Sequence, residues 1–180
     1  MNHVENATLN LIIGCMFSGK TTELLRITKR LSSINQNVLL INYYEDKRYS
    51  ETEMATHDKT TYPCIFVQDL EKVNYDDYSV ICINEAQFFT GLAIFCKKAL
   101  ASKKTLYVCG LDGDFKQEPF GEILNLIPLC NNITRLHAFC AICKDCTPAF
   151  FTKRLHESKE QKLIGSVEHI AVCREHLYTE

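Results

Sequence analysis

The run Gly14-Cys15-Met16-Phe17-Ser18-Gly19-Lys20-Thr21 has the residue types and spacing of a loop that wraps phosphate. Gly14 and Gly19 let backbone N–H groups turn around an anion. Lys20 can reach the β and γ phosphates of ATP, and Thr21 can offer its hydroxyl to Mg2+. A helix following the loop adds its positive end to the same place. An apolar run before it and a helical pattern after it give the required context.

A second group lies in "VICINEAQFF". Four apolar residues lead into Asn84 and Glu85. In phosphate-loop enzymes this strand end commonly carries an Asp that serves the magnesium, followed by a carboxylate base. Asn84 can still accept a hydrogen bond from a metal-bound water, without charge. Glu85 is the candidate general base, because strand C-termini face the phosphate loop in such sheets.

A third group is Cys140-x-x-Cys143, followed after 29 residues by Cys173-x-x-His176. Two such pairs make a closed tetrahedral Zn2+ site, and four protein ligands make the role structural. Cys146 competes with Cys143 for a place in it. The gap implies a long loop tied at its base by the metal.

These groups need a scaffold. Residues 8–13, 37–44, 64–67, 79–84 and 105–110 read as buried strands. Residues 21–31 place Leu24, Ile27, Thr28 and Leu31 at helical spacing, and 91–104 form an amphipathic helix. Residues 119–129 read as a helix that begins at Pro119 and ends near Pro128. Strands alternating with helices predict an α/β fold with a parallel sheet core. Composition shifts near residue 137, which divides the chain into a phosphate-loop domain, 1–137, and a small zinc-binding lobe, 138–180.

The chain has 180 residues, 46% of them hydrophobic, and a net charge of −2. No broad basic face is implied, which argues against nucleic-acid binding. No apolar run reaches membrane-spanning length. The polar N-terminus "MNHVENATLN" does not read as a secretory signal. Ten cysteines beside a phosphate loop indicate a reducing, cytoplasmic setting rather than a disulfide scaffold. Cys15, Cys64, Cys82, Cys96, Cys109 and Cys130 read as small buried hydrophobes.

Taken together, "GCMFSGKTTELL", "EDKRYSETEMATHD", "INEAQFF", "GLDGDFKQEPFGEILNLIPLC", "CAIC", "FFTKRL" and "CREH" resemble thymidine kinases of the cellular and poxvirus type. They occur in family order along nearly the whole chain, and its compact length is similar to that of the viral members. The resemblance implies a RecA-like nucleotide-binding core, a zinc lobe and a lasso-like loop over the nucleoside. It also implies a homotetramer, inhibition by thymidine triphosphate, and ATP-dependent phosphorylation of thymidine at its 5′-hydroxyl.

Carried over residue by residue, the resemblance makes Glu85 the base. It places Arg48 near the transferring phosphate and Asp46 in the magnesium shell. Met16, Phe88, Leu111, Phe115 and Thr152 then line the thymine pocket. Backbone contacts come from Ile164, Gly165, Ser166 and Val167. Several positions depart from the family pattern. Asn84 replaces an Asp, Cys15 a Pro, His169 a Tyr near the sugar, and His176 a fourth Cys. Asp114 stands where a neutral residue is usual. The rival reading is a phosphate-loop ATPase of recombinase or motor type with water as acceptor. A GTPase switch is a poorer reading still, because no N-K-x-D motif occurs in the chain.

Overall fold

The computed structural model describes residues 7–46, 53–55, 61–155 and 169–179. Strand β1 (Leu9–Gly14) leads through the phosphate loop into helix α1 (Lys20–Ser32). Strand β2 (Val38–Tyr43) follows, then a small hairpin of β3 (Glu53–Ala55) and β4 (Thr61–Pro63). Next come β5 (Ile65–Val67), β6 (Val80–Ile83), helix α2 (Leu92–Ala101), β7 (Thr105–Gly110) and β8 (Asn132–Leu136).

Six of these strands form one parallel sheet in the order β5-β2-β6-β7-β1-β8. Alternating side chains send the two faces into two cores. Leu9, Leu11, Ile81, Ile83, Leu106 and Val108 pack with Leu92, Phe95, Cys96 and Ala99 of α2. Ile12, Leu40, Val80 and Cys82 pack with Leu24 and Leu25 of α1. A sheet covered on both faces reads as continuous apolar runs, which is why the central strands were visible in the sequence. Burying each large aliphatic side chain contributes about 1.5–3 kcal/mol.

Two expectations change. Residues 119–129 do not form one helix from Pro119. Gly121 takes a left-handed φ of 62°, and a 3-10 helix runs only over Ile123–Leu129, with Pro128 inside it. Ile123 and Leu126 are its buried residues, the i, i+3 spacing that a 3-10 helix aligns on one side. Strand β8 was not expected at all. It is an edge strand with mostly exposed residues, so its sequence lacks an apolar run.

Beyond β8 lie two ribbons, β9 (Ala138–Phe139) with β10 (Pro148–Ala149), and β11 (Phe151–Arg154) with β12 (His169–Val172), then the short helix α3 (Arg174–Leu177). Ala138, Cys140, Ala149, Ala171, Val172, Cys173 and Leu177 form a separate cluster. Cys15 of the phosphate loop belongs to that cluster, so this region braces the loop. Cys82, Cys96 and Cys109 are buried as expected, whereas Cys64 and Cys130 are only half-buried. Among the described residues no helix is long and apolar enough to cross a membrane.

Candidate active site

The phosphate loop turns through left-handed backbone at Phe17 and Gly19, with φ of 62° and 81°. Helix α1 then starts at Lys20 without a side-chain cap. Its first-turn N–H groups therefore remain for an anion, at the positive end of the helix. Ser18 Oγ and Lys20 Nζ both donate to the carbonyl of Cys15, at 2.8 and 2.7 Å. The ammonium is thus held over the loop by a neutral carbonyl, a weaker partner than a charged phosphate oxygen. Cys15 donates its thiol to Ala149 O at 3.3 Å, and burial raises its pKa. It is a structural thiol, not a reactive one. Met16 N donates to Thr152 Oγ1 at 3.1 Å, which ties the loop to β11.

A polar chain crosses the C-terminal edge of the sheet. Thr21 Oγ1 lies 3.5 Å from Asn84 Oδ1. Asn84 Nδ2 donates to Asn42 Oδ1 at 3.0 Å. Asn42 Nδ2 donates to Asp46 Oδ2 at 3.2 Å and to Asp46 O at 3.3 Å. Asn84 and Asn42 are 2% and 1% exposed, so their amides need these partners. The amides point the same way, with NH2 toward Asp46 and oxygen toward Thr21, so the Asp46 charge polarises both in one direction. Thr21 Oγ1 and Asn84 Oδ1 are hard oxygen donors of the type Mg2+ takes, directly or through water.

Glu85 follows β6 with φ 52° and ψ 39°. This is left-handed backbone at a non-glycine residue, the kind of strain that collects at functional sites. Gln87 Nε2 donates to Glu85 Oε2 at 2.6 Å. Phe88 sits in the short 3-10 turn Ala86–Phe88, with its ring 5.2 Å from that of Tyr43 and 5.5 Å from that of Phe120.

Leu111 and Phe115 lie on the loop after β7. Asp114 organises that loop. It is 6% exposed, and its Oδ1 accepts from Lys116 N at 2.8 Å and from Glu118 N at 3.0 Å. This gives Asp114 a local role, holding the turn that carries Phe115. The Arg154 guanidinium stacks over Phe115 at 3.7 Å. Arg154 Nε donates to His169 Nε2 at 3.1 Å across the β11–β12 pair. Met16, Thr152, Arg154, His169 and Phe115 are therefore linked in one series. Arg48 and the four lasso positions Ile164, Gly165, Ser166 and Val167 lie outside the described residues.

Cys140, Cys143, Cys173 and His176 converge, their ligand atoms all within 4.8 Å of one another. Cys143 Sγ and Cys173 Sγ are 3.9 Å apart. His176 Nδ1 is 3.6, 3.4 and 3.3 Å from the sulfurs of Cys140, Cys143 and Cys173. A tetrahedral zinc with Zn–S of about 2.3 Å and Zn–N of about 2.0 Å needs S···S near 3.8 Å and S···N near 3.5 Å. The donor set fits. Burial opposes ionisation of Cys140, but N–H groups of Cys143, Cys173 and Ile142 outweigh it and pull the thiol down to about 6. Cys146 is exposed and outside the cluster, so Cys143 takes the place for which the two competed.

The sequence reading missed Asn42, Gln87 and Arg154. Asn42 did carry a signal, a polar residue inside the apolar strand "VLLINY". Gln87 and Arg154 stand inside "INEAQFF" and "FFTKRL", but their partners Leu111, Phe115 and His169 come from other segments.

Asn84→Asp removes the donor to Asn42 and sets a buried carboxylate against the Asn42 oxygen. Turning the Asn42 amide over moves the conflict to Asp46. The substitution is expected to cost about 2–4 kcal/mol. The nucleotide-free protein should then melt roughly 5–15 °C lower at neutral pH. An unchanged melting midpoint contradicts the polar chain.

A sequence model of the thymidine kinase family matches residues 7–177. The chain is 41% identical over 169 residues to the thymidine kinase of Yaba monkey tumor virus, with 92% of each chain covered. It is 39% identical over 174 residues to thymidine kinase 1 of Dictyostelium discoideum, covering 92% of this chain and 75% of that one. It is also 39% identical over 170 residues to the cytosolic thymidine kinase of Gallus gallus, with coverage of 92% and 75%. Similarity of this extent runs through every strand and helix that builds the site, and the chain belongs to the thymidine kinase family.

Proposed function

We propose that this chain transfers the γ-phosphoryl group of ATP to the 5′-hydroxyl of thymidine. The observation that carries the reading is the approach of the end of β6 to the start of helix α1. The residue before Glu85 reaches Thr21 of the phosphate loop, Asn84 Oδ1 to Thr21 Oγ1, at 3.5 Å. Glu85, two residues past the end of β6, is the carboxylate this reading puts beside the phosphate that the loop would hold.

Phosphoryl transfer asks the protein for positioning and charge compensation rather than covalent work. Residues 14–21 hold the phosphates, with Lys20 leaving the Cys15 carbonyl for them. Glu85 takes the proton of the 5′-hydroxyl as that oxygen attacks. Thr21, Asn84 and Asp46 are the residues that would hold Mg2+. The ion supplies charge compensation on the phosphate oxygens. Arg48 adds positive charge near the phosphate in transit. Met16, Phe88, Leu111, Phe115 and Thr152 frame the thymine, aided by the backbone of 164–167, and His169 lies near the sugar. Cys140, Cys143, Cys173 and His176 would hold a structural zinc that ties the chain on either side of the lasso.

The same reading divides the chain near residue 137 and makes it a cytoplasmic homotetramer inhibited by thymidine triphosphate. Its support is the family resemblance.

Glu85→Gln keeps the size and hydrogen bonding of the side chain but cannot accept the proton. Its thymidine turnover is expected to fall by about 10²–10⁴-fold, with ATP affinity within twofold of the parent. Turnover near that of the parent removes Glu85 as the base. Protein purified without chelators is expected to carry one zinc per chain, and Cys173→Ser to lose it. A metal analysis that finds none overturns the closed site.

A further inference from the structure

The Gln87 carboxamide is 3% exposed and makes two hydrogen bonds in opposite senses. Nε2 donates to Glu85 Oε2 at 2.6 Å. Oε1 accepts from Leu111 N at 3.0 Å. The carboxamide cannot be turned over, since that would set oxygen against carboxylate and N–H against N–H.

The surroundings are built to this residue, side chain and backbone alike. A Cβ on Gly110 would lie 2.5 Å from Gln87 Oε1, and a Cβ on Gly121 would lie 2.1 Å from Gln87 O. Phe88 N donates to Glu85 O at 3.1 Å, so the turn grips the backbone of Glu85 while Gln87 grips its carboxylate. Glu85 has three rotatable side-chain bonds and a left-handed backbone, and needs such restraint to keep one geometry.

The geometry points to Gln87 as the positioning residue of the reaction. It fixes the Glu85 carboxylate by one oxygen and couples it to the backbone of Leu111, at the wall of the base pocket. The base and the pocket thereby keep a set distance from each other, and the 5′-hydroxyl meets the carboxylate when the nucleoside is seated. This deepens the proposed function and rests on Glu85 as base.

Gln87→Glu separates the two contacts. It retains an acceptor for Leu111 N but replaces the donor to Glu85 with a like charge. Gln87→Met keeps the length and removes both contacts, and it serves where the glutamate variant does not fold. In each folded variant kcat should fall at least tenfold, while the KM for thymidine and the affinity for ATP stay within about threefold. Glu85→Gln is measured alongside. If it is inactive while both Gln87 variants keep kcat within twofold, Gln87 does not position the base. If KM rises and kcat holds, Gln87 only shapes the pocket, and the proposal again fails. If Glu85→Gln itself turns over normally, there is no base to position, and both readings fall.

Discussion

The chain Thr21–Asn84–Asn42–Asp46 is the contact on which the site depends. Two hydrogen bonds join the end of β6 to the end of β2 along one edge of the sheet, and Thr21 of the phosphate loop adjoins them at a looser 3.5 Å. The chain's two central members are buried amides, and each finds its partners within the protein. Each amide fixes the orientation of the other, so the ends of β2 and β6 hold one register and turn the Asn84 oxygen toward Thr21. Glu85 inherits its place from this arrangement, being the next residue after Asn84. A neutral amide pair reaches this without burying a charge, which would cost more than its hydrogen bonds return.

The second brace comes from the other side. Cys15 and Met16 bond to Ala149 and Thr152, so the C-terminal ribbons form a wall of the phosphate loop. Three of the four convergent ligands, Cys140, Cys143 and Cys173, lie in or against the cluster that holds Cys15 and Ala149. A metal there would fix β9 and β12 and, through Cys15, the loop. The division seen in the composition near residue 137 is thus crossed by contacts that the function needs.

Much of this was legible in the sequence, for physical reasons. The central strands are buried on both faces, so they appear as apolar runs. The phosphate loop and the metal pairs are local patterns whose spacing is itself the chemistry. What was not legible depends on distant partners. Strand β8 borrows its order from β1 and shows no apolar run of its own. The turn before Ile123 follows from Gly121, not from Pro119. The fit of Gln87 between Glu85 and Leu111 joins segments 24 residues apart. The role of Asp114 lies in backbone N–H groups that no residue pattern displays.

The central claim is that the phosphate loop spends ATP on a nucleoside hydroxyl held beside Glu85. The most direct test is ADP release from Mg-ATP by the pure protein, with and without thymidine. Release should depend on thymidine and match thymidine monophosphate one for one. Release at the same rate without thymidine contradicts it, because water would then be the acceptor and the base pocket would have no part in the reaction.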